Sequence, residues 1–474
     1  MRRWRPIPFV AALCVVAGTV AGPSATASPG ASAEGSWSEP VALEPSTDHA
    51  FAPALAVGEG GQAIAAWYSG PPRELVFKSA RARTAAWTGS TVEVDTGTAS
   101  GGFGTPVVLS SHGSDSELDV AISRSGVAYA AWPELPGYRW MIAAAPAGGA
   151  FSAPRPLALP GSIGVVGIVA SRAGPVAVAW VTAGSSANSE VLHYGLLRAD
   201  GTLAREVTAG PWGGPVEARS VALNSSGEFA ALGVTPEDAV AGRATRPPRP
   251  VVTICGASGR CSSPRVLKLG RIPAGAGEQD AMTLSDDGTV TVLASYSRPP
   301  RRPGPNVQLG LWESVRRPGR PWTAGQALSP TGEFPVAVAA ARDGALAVFQ
   351  AGQGSLDASQ LPASGPDFTQ PARVDGPRAP YPPVLAANLA GDSALAWYSD
   401  GSSGIVNATE ASVFAATGEP GLGEAQALAI GGIAANTMQV GIDSAGEAIV
   451  IWSDWVEHGE QGVFAAVDRP QPPG

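Results

Sequence analysis

Charge, cysteine and lysine are all scarce in this chain. Charged residues make up 15% of its 474 residues, whereas an average soluble protein has about 25%. There are three cysteines, which excludes the class of small, disulfide-dense secreted domains. Lys78 and Lys268 are the only lysines among 31 basic residues, a bias that we attribute to a GC-rich genome rather than to guanidinium chemistry. The surface must consist largely of Ser, Thr, Gly and backbone groups, which is typical of extracellular proteins.

Basic residues are outnumbered by acidic residues, 31 to 40, and the formal charge is −9. Residues 1–27 contain three arginines and no acidic residue, so their removal would change this charge to −12. General binding to nucleic acids depends on neutralising phosphates with basic groups. We therefore expect no nucleic-acid partner.

A long apolar run occurs only near the N-terminus. It extends from Phe9 to Ala21, follows Arg2, Arg3 and Arg5, and precedes the small residues Ala25-Thr26-Ala27. This order is typical of a secretory signal peptide, so we predict a secreted, extracellular protein that is cleaved after Ala27. No later stretch approaches ~20 apolar residues, and we expect no stable insertion into a membrane.

Two other export signals agree less well with these residues. Lipid attachment at Cys14 would require Gly or Ala at the preceding position, which is Leu13. The Arg2-Arg3 pair suggests twin-arginine export, but the residues around it do not otherwise match that signal. General secretion is the favoured interpretation.

Glycine and proline, by contrast, are abundant, with 60 and 44 residues. Eight of the glycines begin the same sequence motif, which we name the glycine phrase. In it a turn glycine is followed by small apolar residues and usually by an aromatic residue. The phrases are Gly61 to Trp67, Gly126 to Trp132, Gly174 to Trp180, Gly227 to Gly233, Gly288 to Ala294, Gly344 to Gln350, Gly391 to Trp397 and Gly446 to Trp452. The glycines are 65, 48, 53, 61, 56, 47 and 55 residues apart, a spacing that fits one four-stranded propeller blade per repeat and not a helical solenoid.

Each repeat contains four predicted strands, which we name A to D. Strand A is a short apolar segment such as Leu118–Ile122, and strand B is the glycine phrase. The turn between them places Asn, Asp or Ser before Gly, as in Ser123 to Gly126, which indicates a tight antiparallel hairpin. Strand C follows, as in Val191–Leu197. Strand D often contains proline, as in Phe151–Leu157, which suits an outer strand because proline has no N–H to donate.

The two ends of the chain carry complementary parts of one repeat. A D-type phrase at Trp37–Leu43 precedes the first strand A, whereas the last repeat ends after its strand C at Val463–Val467. The N-terminal strand can therefore complete the C-terminal blade and close the ring, which removes exposed sheet edges. We predict an all-β protein with a single β-propeller of four-stranded antiparallel blades. The predicted number of blades is eight, or seven if the repeat around Gly344 is absorbed elsewhere.

The predicted domain organisation is a signal peptide at residues 1–27, a linker at 28–36, the propeller at 37–468 and a tail at 469–474. Two segments are candidates for strand D of the first repeat. Its distance from a strand C at Leu75–Lys78 favours Trp87–Asp95, whereas similarity to the other D strands favours Phe103–Leu109. The tryptophans that end five of the B strands are expected to be core residues that fill the space between blades. They are Trp67, Trp132, Trp180, Trp397 and Trp452.

On these repeats, the chain resembles the secreted bacterial β-propellers with degenerate repeats, and its composition is similar to that of actinobacterial proteins. The resemblance covers about residues 37–468 and is architectural, so it implies a fold and no particular activity. Sialidase-type propellers carry a Ser-x-Asp-x-Gly-x-x-Trp box. The segment Ser285-Asp286-Asp287-Gly288 has a different spacing between Asp and Gly, and no arginine triad accompanies it, so a sialidase is not indicated.

Two cysteines remain after the predicted cleavage, and they lie close together. Cys255 and Cys261 bracket a five-residue segment at a predicted turn between strands C and D. In an oxidising compartment such a pair predicts a disulfide across the turn. A zinc site is not favoured, because no histidine lies nearby.

Ligands of propellers usually approach the face formed by the loops that enter strand A and those that join B to C. Polar and aromatic residues of these loops are candidates for a binding face, although a generic solvated surface is the alternative for each cluster. The A-entry loops contribute Asp48, His49, His112, Asp115, Glu117, Glu278, Asp280, Glu333, Arg378 and Tyr381. The B-to-C loops contribute Glu134, Tyr138, Arg139, Trp140, Arg298, Arg301, Arg302, Asp454, Trp455, Glu457 and His458.

We expect a non-catalytic, secreted, monomeric propeller that binds a protein or glycan partner at the cell surface through this face. One alternative is a glycan-active hydrolase or lyase with carboxylates near the axis, for which Asp115, Glu278 and Glu333 are candidates. A third possibility is a structural envelope protein that binds no small ligand. Acids that converge in a deep axial pocket would favour the enzyme. A closed axis, or one lined by Ala and Gly, would favour binding.

The sequence predicts neither a metal site nor a cofactor. The four histidines, His49, His112, His193 and His458, lie in different repeats and lack the spacing of metal ligands. A run of arginines in neighbouring B-to-C loops suggests binding to an anionic glycan or cell-wall polymer, with an extended solvated loop as the preferred alternative. These are Arg243, Arg246, Arg249, Arg298, Arg301 and Arg302.

Overall fold

The computed structural model describes residues 37–44, 49–70, 90–114, 117–171, 174–184, 190–211, 217–235, 238–240, 243–246, 248–269, 277–298, 307–329, 333–341, 344–351, 354–362, 364–365, 367–379, 383–399, 411–418, 422–432, 437–455 and 461–468. All of them belong to one compact unit, Ser36–Gly474. Within these ranges the chain forms 35 β-strands and no α-helix. The strands pair in antiparallel sets, as the sequence predicts.

The first strand belongs to the last set. β1 (Val41–Ala42) pairs with a strand near the C-terminus, where Val41 lies opposite Ala465. The backbone N–H of Leu43 extends this pairing by donating to the carbonyl oxygen of Val463 at 2.8 Å. The predicted closure of the ring by the N-terminal outer strand is confirmed.

The next two sets share one nine-stranded sheet. Set 1 comprises β2 (His49–Val57), β3 (Gln62–Gly70), β4 (Ser90–Thr98), β5 (Gly102–Phe103) and β6 (Val107–Gly113). Set 2 comprises β7 (Asp119–Ile122), β8 (Ala128–Glu134), β9 (Arg139–Ala145) and β10 (Arg155–Pro156). The sets are joined because Gly113, at the end of β6, also pairs with Glu134 of β8.

Sets 3 and 4 are separate four-stranded sheets. Set 3 comprises β11 (Ser162–Ala170), β12 (Val176–Ala183), β13 (Glu190–Leu197) and β14 (Leu203–Pro211). Set 4 comprises β15 (Glu217–Leu223), β16 (Phe229–Thr235), β19 (Arg249–Cys255) and β20 (Arg265–Val266). A separate hairpin of β17 (Asp238–Val240) and β18 (Arg243–Arg246) is inserted between β16 and β19.

Sets 5 to 8 follow the same order from the inner to the outer strand. Set 5 comprises β21 (Gly277–Leu284), β22 (Val290–Arg298), β23 (Val307–Arg316) and β24 (Gln326–Ser329). Set 6 comprises β25 (Glu333–Ala340), β26 (Ala345–Ala351), β27 (Ser355–Leu361) and β28 (Ala372–Arg373). Set 7 comprises β29 (Val384–Ala387), β30 (Ser393–Ser399), β31 (Ala411–Gly418) and β32 (Gln426–Gly432). Set 8 comprises β33 (Met438–Ile442), β34 (Ala448–Trp455) and β35 (Gln461–Asp468), completed by β1.

The structure decides the open register of the first repeat. Strand C is β4, so the stretch Trp87–Asp95 contains the beginning of strand C, and strand D is β6, which begins within Phe103–Leu109. The distance from a strand C at Leu75–Lys78 favoured Trp87–Asp95 as strand D. That criterion was misleading because residues 71–89 separate β3 from β4, so strand C of this set begins later in the chain. The strand C predicted at Leu75–Lys78 lies outside the described residues.

The inner strands form a ring. The first strand of each set contacts the first strand of the next, and β33 of set 8 contacts β2 of set 1. A cluster of buried apolar side chains lies between each pair of neighbouring sets, including sets 8 and 1, where Ile449 and Ile451 pack with Ala65 and Trp67. The fold is therefore an all-β propeller. The described part of the chain contains eight strand sets, and the number of blades, predicted as eight or seven, stays a prediction.

The tryptophans of the B strands are core residues, as predicted. All five are at most 1% exposed, because a neighbouring set packs on each face of these strands. This also explains why the B strands are continuous apolar runs rather than alternating ones. Strand C supplies a stacking partner in several sets: Trp397 stacks on Phe414 at 5.9 Å and Trp452 on Phe464 at 6.0 Å.

The turns between strands A and B are tied to one another around one end of the ring. Gly227 closes such a turn with φ of 83°, a left-handed conformation that favours glycine. In several of these turns the side chain of the first residue donates a hydrogen bond to a backbone carbonyl oxygen of the next set. Asn388 Nδ2, for example, donates to the carbonyl oxygen of Asp443 at 2.9 Å. Ser444 Oγ continues the chain of contacts by donating to the carbonyl oxygen of Glu59 at 2.5 Å.

The predicted disulfide is confirmed. Cys255 ends β19 and bonds to Cys261, with an S–S distance of 2.02 Å. It closes the turn that leads from strand C to strand D of set 4.

Candidate binding face

The structure describes only some of the residues predicted for the binding face, and for others it describes only the backbone. Asp48, Asp115, Arg301, Arg302, Tyr381, Glu457 and His458 lie outside the described residues. For His49 in β2, Glu278 in β21, Arg298 in β22, Glu333 in β25 and Trp455 in β34 the structure describes only the backbone. The side chains that can be examined on this face belong mainly to sets 1 and 2.

The end of β6 and the loop that follows it are bonded to the end of β8 and the turn that follows it. The N–H of Leu135 donates to the carbonyl oxygen of His112 at 2.9 Å, and the N–H of Ser114 donates to the carbonyl oxygen of Pro133 at 3.0 Å. Ser110 Oγ donates to Glu134 Oε1 at 2.5 Å. These bonds combine an A-entry loop and a B-to-C turn into one surface, which we name the set 1–2 ridge and define as residues 110–114 and 133–139.

Tyr138 is the most prominent side chain of the ridge. It is 60% exposed, and its backbone has φ of 54°, a left-handed conformation that is uncommon for a bulky residue. Residues held in such conformations often occur at ligand sites. Arg139 follows at the beginning of β9 and is exposed, as is His112, whose Nδ1 lies 3.1 Å from Ser111 Oγ. The ridge thus carries an exposed aromatic ring, a guanidinium and an imidazole.

Tyr68 holds the next part of this face in place. Its side chain is fully buried, and its hydroxyl donates to the carbonyl oxygen of Glu117 at 2.6 Å. Burial raises the pKa of Tyr68 well above its ordinary range. The same device recurs elsewhere, since Gln350 Nε2 donates to the carbonyl oxygen of Ala379 at 2.7 Å. A side chain at the end of strand B therefore positions the A-entry loop of the following set.

Two acids lie close to Tyr68. Burial raises the pKa of Asp119 to about 6, although the N–H of Ile168 donates to Asp119 Oδ2 at 3.1 Å and opposes the shift. The negative charge of Glu117 contributes to the shift. Partial desolvation also raises the pKa of the Glu117 carboxyl group above its ordinary value. Two carboxyl groups that titrate closer to neutrality than usual therefore lie at the A-entry end of β7.

Three other candidates have different surroundings. Trp140 is 8% exposed and packs in the core between sets 2 and 3, so its indole belongs to the interior rather than to the loop surface. Asp280 is partly buried within β21, opposite Ala294. Arg378 is exposed and lies beside Gly354 in set 6. The structure does not bring these three residues together with the ridge.

The arginine run is only partly described. Arg243 and Arg246 lie on β18 of the inserted hairpin, and Arg249 begins β19 with an exposed side chain. The N–H of Arg249 donates to Thr235 Oγ1 at 3.0 Å. The hairpin extends the B-to-C connection of set 4, but the side chains of Arg243 and Arg246 lie outside the described part.

The sequence did not single out an acid pair at the ring closure. The indole N–H of Trp67 lies 3.3 Å from Glu44 Oε2 and 3.1 Å from Glu93 Oε2. Burial, together with the hydrogen bond to Glu44, raises the pKa of Glu93 to about 7. Position within the repeats could have revealed Glu93, because it lies opposite Trp67 where Phe414 and Phe464 stand in other sets.

His193 is a partly buried histidine on β13 of set 3. It stacks on Trp180 with ring centroids 5.5 Å apart, and its Nε2 lies 3.0 Å from Thr182 Oγ1. Its Nδ1 is 3.1 Å from Glu206 Oε1. In the part of the chain that the structure describes, no group of three or more His, Cys, Asp and Glu residues is arranged to hold a metal ion.

The eight inner strands surround the axis of the ring, and each of them ends where strand A turns into strand B. The last residues of all eight inner strands surround a cavity of about 400 Å³ there, among them Ala56, Val221 and Val440. The acids of β7 lie toward the other end of their strand.

No helix in the described ranges is both long and apolar enough to cross a membrane.

No protein-family model matches the chain, and no curated protein matches it. Among solved structures, the polysaccharide lyase Uly1 is 10% identical and has a TM-score of 0.47, over 87% of this chain and 88% of that one. The BP39L lectin from Burkholderia pseudomallei is 13% identical with a TM-score of 0.42, over 86% and 97%. The β-propeller domain of the trilobed protease from Pyrococcus furiosus is 10% identical with a TM-score of 0.40, over 74% and 93%. These likenesses concern the fold. The strand order and the ring of inner strands place the chain in the broad class of β-propeller proteins.

Proposed function

We propose that this chain is a secreted, non-catalytic β-propeller that binds a protein or glycan partner at the cell surface through the set 1–2 ridge. The signal-peptide pattern of residues 1–27 supports secretion. The Cys255–Cys261 disulfide supports it independently, because disulfides persist in oxidising compartments.

The observation that carries this proposal is the presentation of Tyr138. An exposed aromatic ring on a hydrogen-bonded turn loses little conformational freedom on binding. Arg139 and His112 supply hydrogen-bond donors on the same ridge, and Glu134 supplies an acceptor. Aromatic and arginine side chains are the residue types that most often dominate the free energy of binding.

Binding of the labelled protein to a glycan array and to whole cells of the producing organism tests the proposal. The substitutions Tyr138→Ala and Arg139→Ala should each weaken the signal about tenfold, as expected for residues at the centre of an interface. Arg320→Ala is the matched control, because Arg320 is exposed in the turn between β23 and β24 at the opposite end of the strands. Equal signals from all three variants would contradict the proposal.

A second candidate function is glycan hydrolysis or elimination by acids near the axis, supported by Asp119. Its raised pKa, about 6, and the neighbouring Glu117 suit general acid–base chemistry near neutral pH. Incubation with a panel of polysaccharides, followed by detection of new reducing ends, tests this function. Asp119→Asn should abolish product formation, and Asp200→Asn, in an exposed turn of set 3, should leave it unchanged.

A further inference from the structure

The boundary between sets 6 and 7 is packed less closely than the others at the end where strand A turns into strand B. In each set, the strand B residue that pairs with the next-to-last residue of strand A can be compared directly. In seven sets this residue is at most 2% exposed, namely Ile64, Tyr129, Ala177, Ala230, Thr291, Ala394 and Ile449. Leu346 of set 6 is 9% exposed. It faces set 7, because Val348 on the same face of β26 packs in the cluster between these two sets.

The turn between strands A and B is also shorter in set 6. The last residue of strand A, Ala340, pairs with Ala345, whereas Val57 of set 1 pairs with Ala63 and the other six sets share that longer spacing. The first residue of the shorter turn is Ala341, which has no side-chain donor. Set 6 therefore makes no hydrogen bond to the next set of the kind that Asn388 makes to set 8.

A pocket of about 260 Å³ lies at this boundary. Leu346 and Ala358 line it from set 6, and Gly391 and Leu422 line it from set 7. Ala358 is partly buried and pairs with Val348, so it lies on the face of β27 that is turned to set 7. The pocket thus has an aliphatic wall where the other boundaries have a closed core.

Two glutamines supply the polar groups of the pocket. Gln360 is exposed and lies opposite Leu346, on the same face of set 6. Gln370 is also exposed and lines the pocket from the chain that leads into β28. Thr369 holds the two segments together, since the N–H of Gln360 donates to Thr369 Oγ1 at 3.1 Å and the N–H of Thr369 donates to the carbonyl oxygen of Gln360 at 2.8 Å. Each side-chain amide offers donors and an acceptor to a ligand.

The pocket has no net charge of its own to offer a ligand. Arg373 is the one charged residue among the lining residues that the structure describes. It lies opposite Asp357, which pairs with Phe349 on the face turned to set 5. The positive charge of Arg373 is therefore balanced by a carboxylate on the other side of the sheet. An ion in the pocket would lose hydration without gaining a partner of opposite charge.

We propose that this pocket binds a compact, uncharged polyhydroxylated molecule of the size of one sugar ring. Its carbon skeleton contacts Leu346 and Ala358, and its hydroxyl groups exchange hydrogen bonds with the amides of Gln360 and Gln370. A pocket of apolar residues with a few polar groups that fix orientation is typical of small-molecule sites. This site lies in sets 6 and 7, goes beyond the proposed surface function and does not depend on the set 1–2 ridge.

Saturation-transfer NMR of the intact protein tests the proposal with methyl α-D-glucopyranoside, methyl β-D-galactopyranoside and myo-inositol. We expect saturable binding of at least one of them, with a Kd on the order of 1 mM because the ligand is small. Absence of saturable binding by all three would overturn the proposal.

Two substitutions place in the pocket a side chain that another set carries at the same position. Gln360→Val, as in Val315 of set 5, removes an amide and should weaken binding about tenfold. Leu346→Tyr, as in Tyr129 of set 2, fills the pocket and should weaken binding at least as much. Gln326→Val is the matched control, because Gln326 is exposed on β24 and does not line the pocket.

Thermal unfolding shows whether each variant is folded. Gln360→Val changes an exposed side chain, so it keeps the test valid if Leu346→Tyr does not fold. Equal binding by the parent, Gln360→Val and a folded Leu346→Tyr would overturn the proposal, because the ligand would then be bound elsewhere.

D-glucuronate and D-glucosamine test whether the pocket selects uncharged ligands. Both should bind more weakly than the neutral glycosides, and tighter binding of either would overturn the assignment of a neutral ligand. A disaccharide of the best methyl glycoside distinguishes two sources of the same chemistry. Tighter binding of the disaccharide would identify the end of a glycan chain, and equal binding would identify a free sugar or polyol.

Discussion

Leu43, close to the beginning of the described chain, donates its backbone N–H to the carbonyl oxygen of Val463, close to the end, at 2.8 Å. The Leu43 side chain is 6% exposed and packs in the cluster that joins set 8 to set 1. Val41, two residues earlier on the same outer strand, is 61% exposed. The N-terminal strand thus closes the ring through backbone bonds along its length and through buried side chains, of which Leu43 packs between set 8 and set 1.

Leu43→Ala should destabilise the protein by about 2–5 kcal/mol, because it leaves a cavity between the first and last sets. Val41→Ala should change the free energy of unfolding by no more than about 0.5 kcal/mol, since its side chain is already in water. Chemical denaturation of both variants gives the comparison. Similar values for the two would show that packing of the Leu43 side chain does not contribute to the closure.

Glu93 makes the same closure sensitive to pH. Its pKa is raised to about 7, so the folded state favours the neutral carboxyl group, whereas the unfolded chain ionises near the ordinary value of 4.5. Between these pH values the unfolded state releases a proton that the folded state retains, and stability therefore falls as pH rises. Glu93→Gln should reduce this dependence, and Glu39→Gln, an exposed residue, should preserve it. Melting temperatures at pH 5 and pH 8 measure the difference.

Glu313 provides a second test at the boundary of sets 5 and 6. It is 4% exposed, its carboxyl group accepts a hydrogen bond from the N–H of Phe368, and burial raises its pKa to about 7 from 4.5. At about 1.4 kcal/mol for each pKa unit, ionisation of this group should destabilise the fold by about 3 kcal/mol between low pH and pH 8. Glu313→Gln should therefore gain stability relative to the parent as pH rises. A constant difference between parent and variant from pH 5 to pH 8 would contradict this.

Much of the fold was predictable because each repeat carries its own local signals. The glycine phrases, and the predicted apolar C strands that lie within the described residues, such as Val251–Cys255, are found as strands in the structure. Strand C of set 6 was not predicted, since β27 contains Ser355, Asp357 and Ser359. Its burial depends on neighbouring sets, which a local pattern does not reveal.

The candidate site was harder to predict than the fold. The set 1–2 ridge depends on bonds such as that from Leu135 to His112, which join loops of different repeats. For Trp140 the prediction was wrong. Its position beside a loop suggested a surface residue, but its side chain packs in the core between sets 2 and 3. Sequence placed residues on the correct end of a strand but did not determine which way their side chains point.

The Cys255–Cys261 disulfide closes a short loop, with a sequence separation of 6. A loop of this length should stabilise the fold by about 2 kcal/mol through its effect on the unfolded chain. Cys255→Ala/Cys261→Ala should lower the free energy of unfolding by that amount under oxidising conditions. A reducing agent should lower the stability of the parent and leave the variant unchanged, which separates loss of the bond from loss of side-chain packing.

Tyr68→Phe should connect stability to binding. The substitution removes the hydrogen bond from the hydroxyl to the carbonyl oxygen of Glu117 and leaves that acceptor without this donor, at a loss of about 1–3 kcal/mol. Because the A-entry loop of set 2 is held by this bond, hydrogen exchange of residues 117–119 should become faster. Binding to the array should weaken as well if the ridge is the recognition surface. Tyr138→Phe is the matched control, since it removes an exposed hydroxyl and should leave both exchange and stability unchanged. Unaltered exchange in Tyr68→Phe would mean that the bonds from Ser114 and Leu135 suffice to position the loop.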